Sequence, residues 1–122
     1  MKDHEGEDFS GIDKRLRDSL TDSLFEAILV LKDKEECYRF FQDIATIAEI
    51  KALAQRLEVA KLLEKNVTYT TIAQSTGAST ATISRVKRCL YFGADGYQMV
   101  LKRLSEREKN QKETKELERG ED

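Results

Sequence analysis

Apolar residues recur at helical spacing along almost the whole chain. Leu16, Leu20, Leu24, Ile28 and Leu31 repeat every three or four positions, which predicts a first helix over about Asp13 to Lys32. Phe25, Ala27, Leu29 and Val30 widen that stripe towards all-round apolarity. A helix apolar on several sides is buried on several sides, and in so small a chain the natural cover is a second copy of the protein. Asp33 with Glu36, and Thr46 with Glu49, have capping-box spacing and predict two further helix starts. The first of these helices carries Cys37, Phe40, Phe41 and Ile44; the second carries Ile50, Leu53, Leu57, Ala60 and Leu63 on its apolar face. Asn66 and Val67 interrupt the second, and Thr68 and Ser79 are natural caps for two more helices, the later one ending near Gly93. Asp95 is expected to cap a last helix, with Gln98 three residues on and Tyr97, Val100, Leu101 and Leu104 turned inward. Beyond Ser105 the pattern dissolves into charges with a lone Leu117, enough for a frayed helix supported by pairs such as Glu108 and Lys112. Residues 1–11 read as a flexible arm, 12–105 as one helical domain and 106–122 as a charged tail. No internal repeat is visible.

Within this all-α pattern the segment YTTIAQSTGASTATISRVKR, from Tyr69 to Arg88, has the spacing of a helix-turn-helix. Ala73 is small enough to let two helices approach. Gly77 supplies the turn, because without a Cβ it takes φ > 0 at no steric cost. Ile72, Ala78, Ile83 and Val86 fall on the inward side, the last two three residues apart on one face. Ser79, Thr80, Thr82, Ser84, Arg85, Lys87 and Arg88 are then left facing outward. Short hydrogen-bonding groups followed by cations are the chemistry that meets base edges and phosphates. The motif is expected over residues 69–92.

Charge distribution supports this reading where total charge does not. The chain carries 21 basic and 23 acidic residues, a net −2. Yet no Asp or Glu occurs between Lys65 and Ala94, where the charges are Lys65, Arg85, Lys87 and Arg88. Acids collect at the ends: Asp3, Glu5, Glu7 and Asp8 at one, and seven from Glu106 to Asp122 at the other. Local charge sets the field at a binding face. An ordinary solvated helix face would mix both signs.

The remaining chemistry excludes more than it offers. At 122 residues without proline or tryptophan, and 36% charged, the chain suits one soluble helical domain with a modest core. No apolar run approaches membrane-spanning length and the acidic start lacks signal-peptide features, so cytoplasmic residence is expected. Cys37 and Cys89 form no C-x-x-C pair, and His4 is the only histidine. Neither a metal site nor a nucleophile–base pair can be assembled, so no enzyme and no cofactor is expected. The competing function is a helical dimer that uses the same surface to bind protein without specific DNA binding.

The stretches EIKALAQRLEVAKLL and TGASTATISRVKRCL resemble the Trp-repressor superfamily, and most closely its YerC/YecD-like branch. The resemblance runs from Thr46 to Leu104, and the run from Leu16 through EECYRFF is also similar. It implies a six-helix, intertwined homodimer with interlocked N-terminal helices. Two recognition helices would enter successive major grooves of a palindromic site in double-stranded DNA, half-sites about 34 Å apart. Positions matching DNA contacts are Ser79, Thr80, Ala81 and Ser84, with Tyr69 and Thr70 at the start of the preceding helix; chemistry assigns Thr70, Lys87 and Arg88 to phosphates, and Arg85 to DNA as well. Thr46, Arg56 and Arg85 match the family's corepressor pocket. Two pocket positions depart: Val86 stands where the family pattern has glycine, and Cys89 where it has serine, a stronger hydrogen-bonding residue. Tryptophan is therefore not expected as an effector. Without it, Arg56 is expected to pair with Glu58 or Glu49.

Overall fold

The computed structural model describes residues 7–120; the first six residues of the expected arm, His4 among them, and the last two of the tail lie outside the described residues. Six α-helices and one 3₁₀ turn account for most of the described chain, which contains no strand. It divides into two compact units, one ending at Ile50 and one beginning at Lys51.

In the first unit, the 3₁₀ turn Lys14–Leu16 precedes α1 (Ser19–Leu29) and α2 (Lys34–Ile44), and α3 (Ile47–Glu64) begins. The single helix expected over Asp13 to Lys32 is thus shorter and interrupted. The Asp18 carboxylate accepts the Thr21 N–H at 2.7 Å and starts α1 at Ser19, which leaves Leu16 outside the helix. In the same way Asp33 accepts from the Glu36 N–H at 2.9 Å. The Glu36 carboxylate reaches back to the Lys32 N–H rather than to that of Asp33. Thr46 and Glu49 form the reciprocal box: each side chain takes the other's backbone N–H, at 3.1 and 2.9 Å. Backbone donation from Thr21 and from Thr46 holds the Asp18 and Glu49 carboxyls below their ordinary values. Phe40 and Phe41 meet edge to face at 5.7 Å, and Phe9 lies under the Arg17 guanidinium at 3.6 Å. Neither α1 nor α2 contains a buried residue. Leu20 is 83% exposed and Leu29 81%.

The second unit holds the core. Val59, Ala60 and Leu63 of α3 pack with Ile72 of α4 (Tyr69–Thr76), with Ile83, Val86 and Leu90 of α5 (Thr80–Phe92), and with Leu101 of α6 (Gly96–Gly120). Ala78, in the turn just before α5, completes the cluster. α3 ends in a Schellman motif: Asn66 takes φ +60°, its N–H donates to the Leu63 carbonyl, and the Val67 N–H donates to that of Leu62. Leu53 is more exposed than its place on the α3 stripe suggested.

Two expectations for the last helix change. Asp95 takes φ +65°, and the α6 start is fixed by backbone, the Met99 N–H donating to the Asp95 carbonyl at 3.0 Å. Gln98 spends its amide on the Leu90 carbonyl at 2.6 Å, tying α6 to the end of α5. Leu101 is buried and Tyr97 and Leu104 pack against the core, but Val100 faces out. The tail continues α6 as regular helix to Gly120. Alternating charges at four-residue spacing, such as Lys109 with Glu113 and Lys112 with Glu116, suit that extension.

At the other end of α5, Gly93 is required by space. A Cβ there would lie 2.3 Å from the Cys89 carbonyl oxygen, whose hydrogen bond from the Gly93 N–H closes the helix at 3.0 Å. Backbone cannot yield as a flexible side chain would. Gly93→Ala is therefore expected to destabilise the unit by about 1–3 kcal/mol, read as a lowered thermal midpoint by circular dichroism.

Candidate nucleic-acid interface

The helix-turn-helix is assembled by local hydrogen bonds that the residue types dictate. Thr68 caps α4 through the Thr71 N–H at 3.3 Å. Gly77 ends it in the left-handed conformation, φ +74°, with its N–H on the Ala73 carbonyl at 2.9 Å. Most residues with a Cβ would cost about 1–2 kcal/mol there. The Thr76 hydroxyl bridges the turn, donating to the Ile72 carbonyl at 2.7 Å and accepting the Ala78 N–H at 3.1 Å. Ser79 then caps α5 by accepting the Thr82 N–H at 3.1 Å. One support was not visible in the sequence: the Gln55 amide, on α3, donates to the Thr76 carbonyl at 3.0 Å and fastens the turn to the scaffold.

With Ile83, Val86 and Leu90 inward, the outward residues of α5 are set. Ser79, Thr80, Ala81, Ser84, Arg85, Lys87 and Arg88 are all exposed, as is Thr70, while Tyr69 is half-buried. Thr80, Ala81 and Ser84 lie towards the N-terminal end. Lys87 and Arg88 lie one turn beyond Ser84 on the same face. The Lys87 ammonium sits 5.4 Å from the centre of the Tyr69 ring, a cation–π contact that joins α5 to α4. No carboxylate occurs on α4, the turn or α5.

Arg85 and Cys89, four residues apart, share a different side of α5. With Arg56 of α3 they influence the titration of Tyr97 of α6. Burial pushes the Tyr97 phenol up, Cys89 adds to that, and the Arg56 and Arg85 guanidiniums pull it back down. Three of the positions matched to a corepressor pocket or departing from it, Arg56, Arg85 and Cys89, therefore act electrostatically on one phenol of the protein itself. Thr46 belongs to the first unit, where its hydroxyl caps α3. Arg56 forms no ion pair with Glu58 or Glu49; the ion pairs among the described residues include Arg15–Asp13 and Arg39–Glu35. The Glu49 carboxylate is instead committed to the Thr46 N–H. Val86 is 1% exposed within the core. Both cysteines are free thiols at exposed positions. Among the described residues no group of potential ligands could hold a metal ion, and no helix is long and apolar enough to cross a membrane.

Fold and site together define an all-α protein built around a helix-turn-helix. The family model for the Trp repressor protein matches residues 19–105, so the chain belongs to the Trp repressor family. It is 62% identical over 97 residues to the uncharacterized protein YerC of Bacillus subtilis, covering 80% of this chain and 92% of that one. Two solved structures are similar at 54% identity. One, a candidate Trp repressor from Staphylococcus aureus, has a TM-score of 0.73 over 75% of this chain and 92% of its own. The other, a TrpR-like protein from Eubacterium eligens, has a TM-score of 0.75 over 76% and 96%.

Proposed function

We propose that this protein is a dimeric transcriptional regulator that binds a palindromic site in double-stranded DNA through α5. The observation that carries the reading is the outward face of α5, where short polar residues and two cations stand on a helix that bears no carboxylate. Family membership supports it. Thr80, Ala81 and Ser84 read base edges at close approach, with methyl contacts to thymine and bridging waters. Lys87, Arg88 and Thr70 hold phosphates, and Ser79 and Tyr69 flank them. Arg85, exposed on α5, adds to the positive field. The exposed apolar faces of α1 and α2 find their cover in a second copy, which also supplies the second recognition helix. No catalytic role is assigned.

Heparin affinity separates this from a protein-interaction module. Retention at low ionic strength, lost as salt rises, is expected. Passage through the column at low salt would favour the interaction module.

Tryptophan is not the effector in this reading. Val86 adds a side chain on the helix where the family pattern has bare backbone, and Cys89 stands where it has the stronger hydrogen-bonding serine. Titration calorimetry with L-tryptophan is expected to show no saturable heat. A stoichiometric binding isotherm would overturn the assignment.

A further inference from the structure

Beside the C-terminal half of α5 is a shallow concavity lined by Tyr69, Ser84, Lys87, Arg88, Tyr91 and Phe92. All but Tyr69 come from α5. Ser84, Lys87 and Tyr91 follow one another at three and four residues, and Ser84, Arg88 and Phe92 at four and four, so the strip is one continuous face. Tyr69 closes it from α4, its ring holding the Lys87 ammonium. Tyr91 is 49% exposed and Phe92 86%. Two exposed aromatics beside two cations are not explained by packing or by base readout.

We infer that this concavity holds one strand of the sugar-phosphate backbone at the edge of the bound major groove, with Tyr91 and Phe92 as contact residues. The inference rests on the DNA-binding reading above and adds to it. Helix rise places Tyr91 about 15 Å beyond Ala81. The major groove is about 12 Å wide, so when Ala81 meets base edges, Tyr91 and Phe92 have passed out of the groove to its wall. What lies there alternates charged phosphate with apolar deoxyribose. The strip alternates in kind: Lys87, Arg88 and the Tyr91 hydroxyl donate to phosphate oxygens, while the rings of Tyr69, Tyr91 and Phe92 cover sugar. The Tyr69 ring fixes the Lys87 ammonium before the duplex arrives, so less side-chain freedom is given up on binding.

The test uses the full chain and a fluorescently labelled mixed-sequence duplex long enough to span two half-sites, with anisotropy titrations over a range of salt. Y91F and F92A are both exposed changes, and their thermal midpoints are expected to equal that of the unsubstituted protein. Each is expected to weaken binding about tenfold without changing the salt slope, because neither removes a charge. If the unsubstituted protein binds and both variants bind equally well, this inference fails while the DNA-binding reading stands. If the unsubstituted protein binds no duplex, the DNA-binding reading fails and takes this inference with it. If F92A shifts the oligomeric state in sedimentation and leaves duplex affinity alone, the concavity is an interface between copies and the inference is overturned.

Discussion

Ile83→Ala is expected to unfold or nearly unfold the second unit. Ile83 is fully buried in the cluster that holds Val86, Leu90 and Ile72, on the helix whose other face carries the site. Truncation of a buried isoleucine costs about 2–5 kcal/mol through the transfer energy forfeited and the cavity left behind. Domains of this size are stable by only about 5–15 kcal/mol in total. The core here has few residues from which to repack: nine are buried among the described positions, and two of those are alanines. A thermal midpoint roughly 10–30 °C lower is the expected reading, with DNA binding abolished in step. Ile83→Val leaves most of the volume in place and should cost only about 0.5–1.5 kcal/mol. A midpoint unmoved by the alanine change would mean that the core has been placed wrongly.

The second large effect separates binding from folding. Replacing both Lys87 and Arg88 with alanine removes exposed cations, so the thermal midpoint should hold. Affinity should fall for every sequence alike, because phosphates carry no sequence information. The log–log dependence on salt should also flatten, by about 0.9 for each phosphate no longer neutralised and by about 3.6 for the four cations of a dimer. Fluorescence anisotropy across a salt series gives that slope directly. An unchanged slope would remove Lys87 and Arg88 from the phosphate-binding set. Thr80→Ala and Ser84→Ala, by contrast, should leave the slope alone and relax preference at particular base pairs.

Much of this arrangement was legible in the sequence because it is set locally. Thr46, Thr68 and Ser79 cap helices where their types and spacing said they would. Gly77 takes the left-handed turn, and the inward set Ile72, Ala78, Ile83 and Val86 follows from helical period. The errors also have physical causes. Periodicity ran straight through Asp18, because a stripe of leucines does not register a capping aspartate inside it. Asp95 looked like a cap by type, yet aspartate is also among the few side chains that tolerate positive φ, and it takes that role instead. The Gln55 bond to Thr76 spans 21 residues and leaves no local signature. The electrostatic influence of Arg56, Arg85 and Cys89 on Tyr97 likewise joins residues of different helices and leaves no local signature. Tyr97 showed in the sequence only as one of several inward residues of the last helix.

The residues matched to a corepressor pocket bear on the tryptophan proposal. Arg56 and Arg85 are of the residue type that a corepressor pocket needs. The Tyr97 phenol feels both guanidiniums, and Val86, on the same helix as Arg85, is buried in the core. Gln55 fastens the turn of the helix-turn-helix to α3, and Gln98 ties α6 to the end of α5.

Selection of bound fragments from a random duplex library, using the full chain, tests the central claim most directly. Two inverted half-sites whose centres lie about one helical turn, ~34 Å, apart are the predicted consensus, and Thr80→Ala or Ser84→Ala should blur positions within each half. A library that returns no enriched sequence, or a single unpaired half-site with no inverted partner, would contradict it.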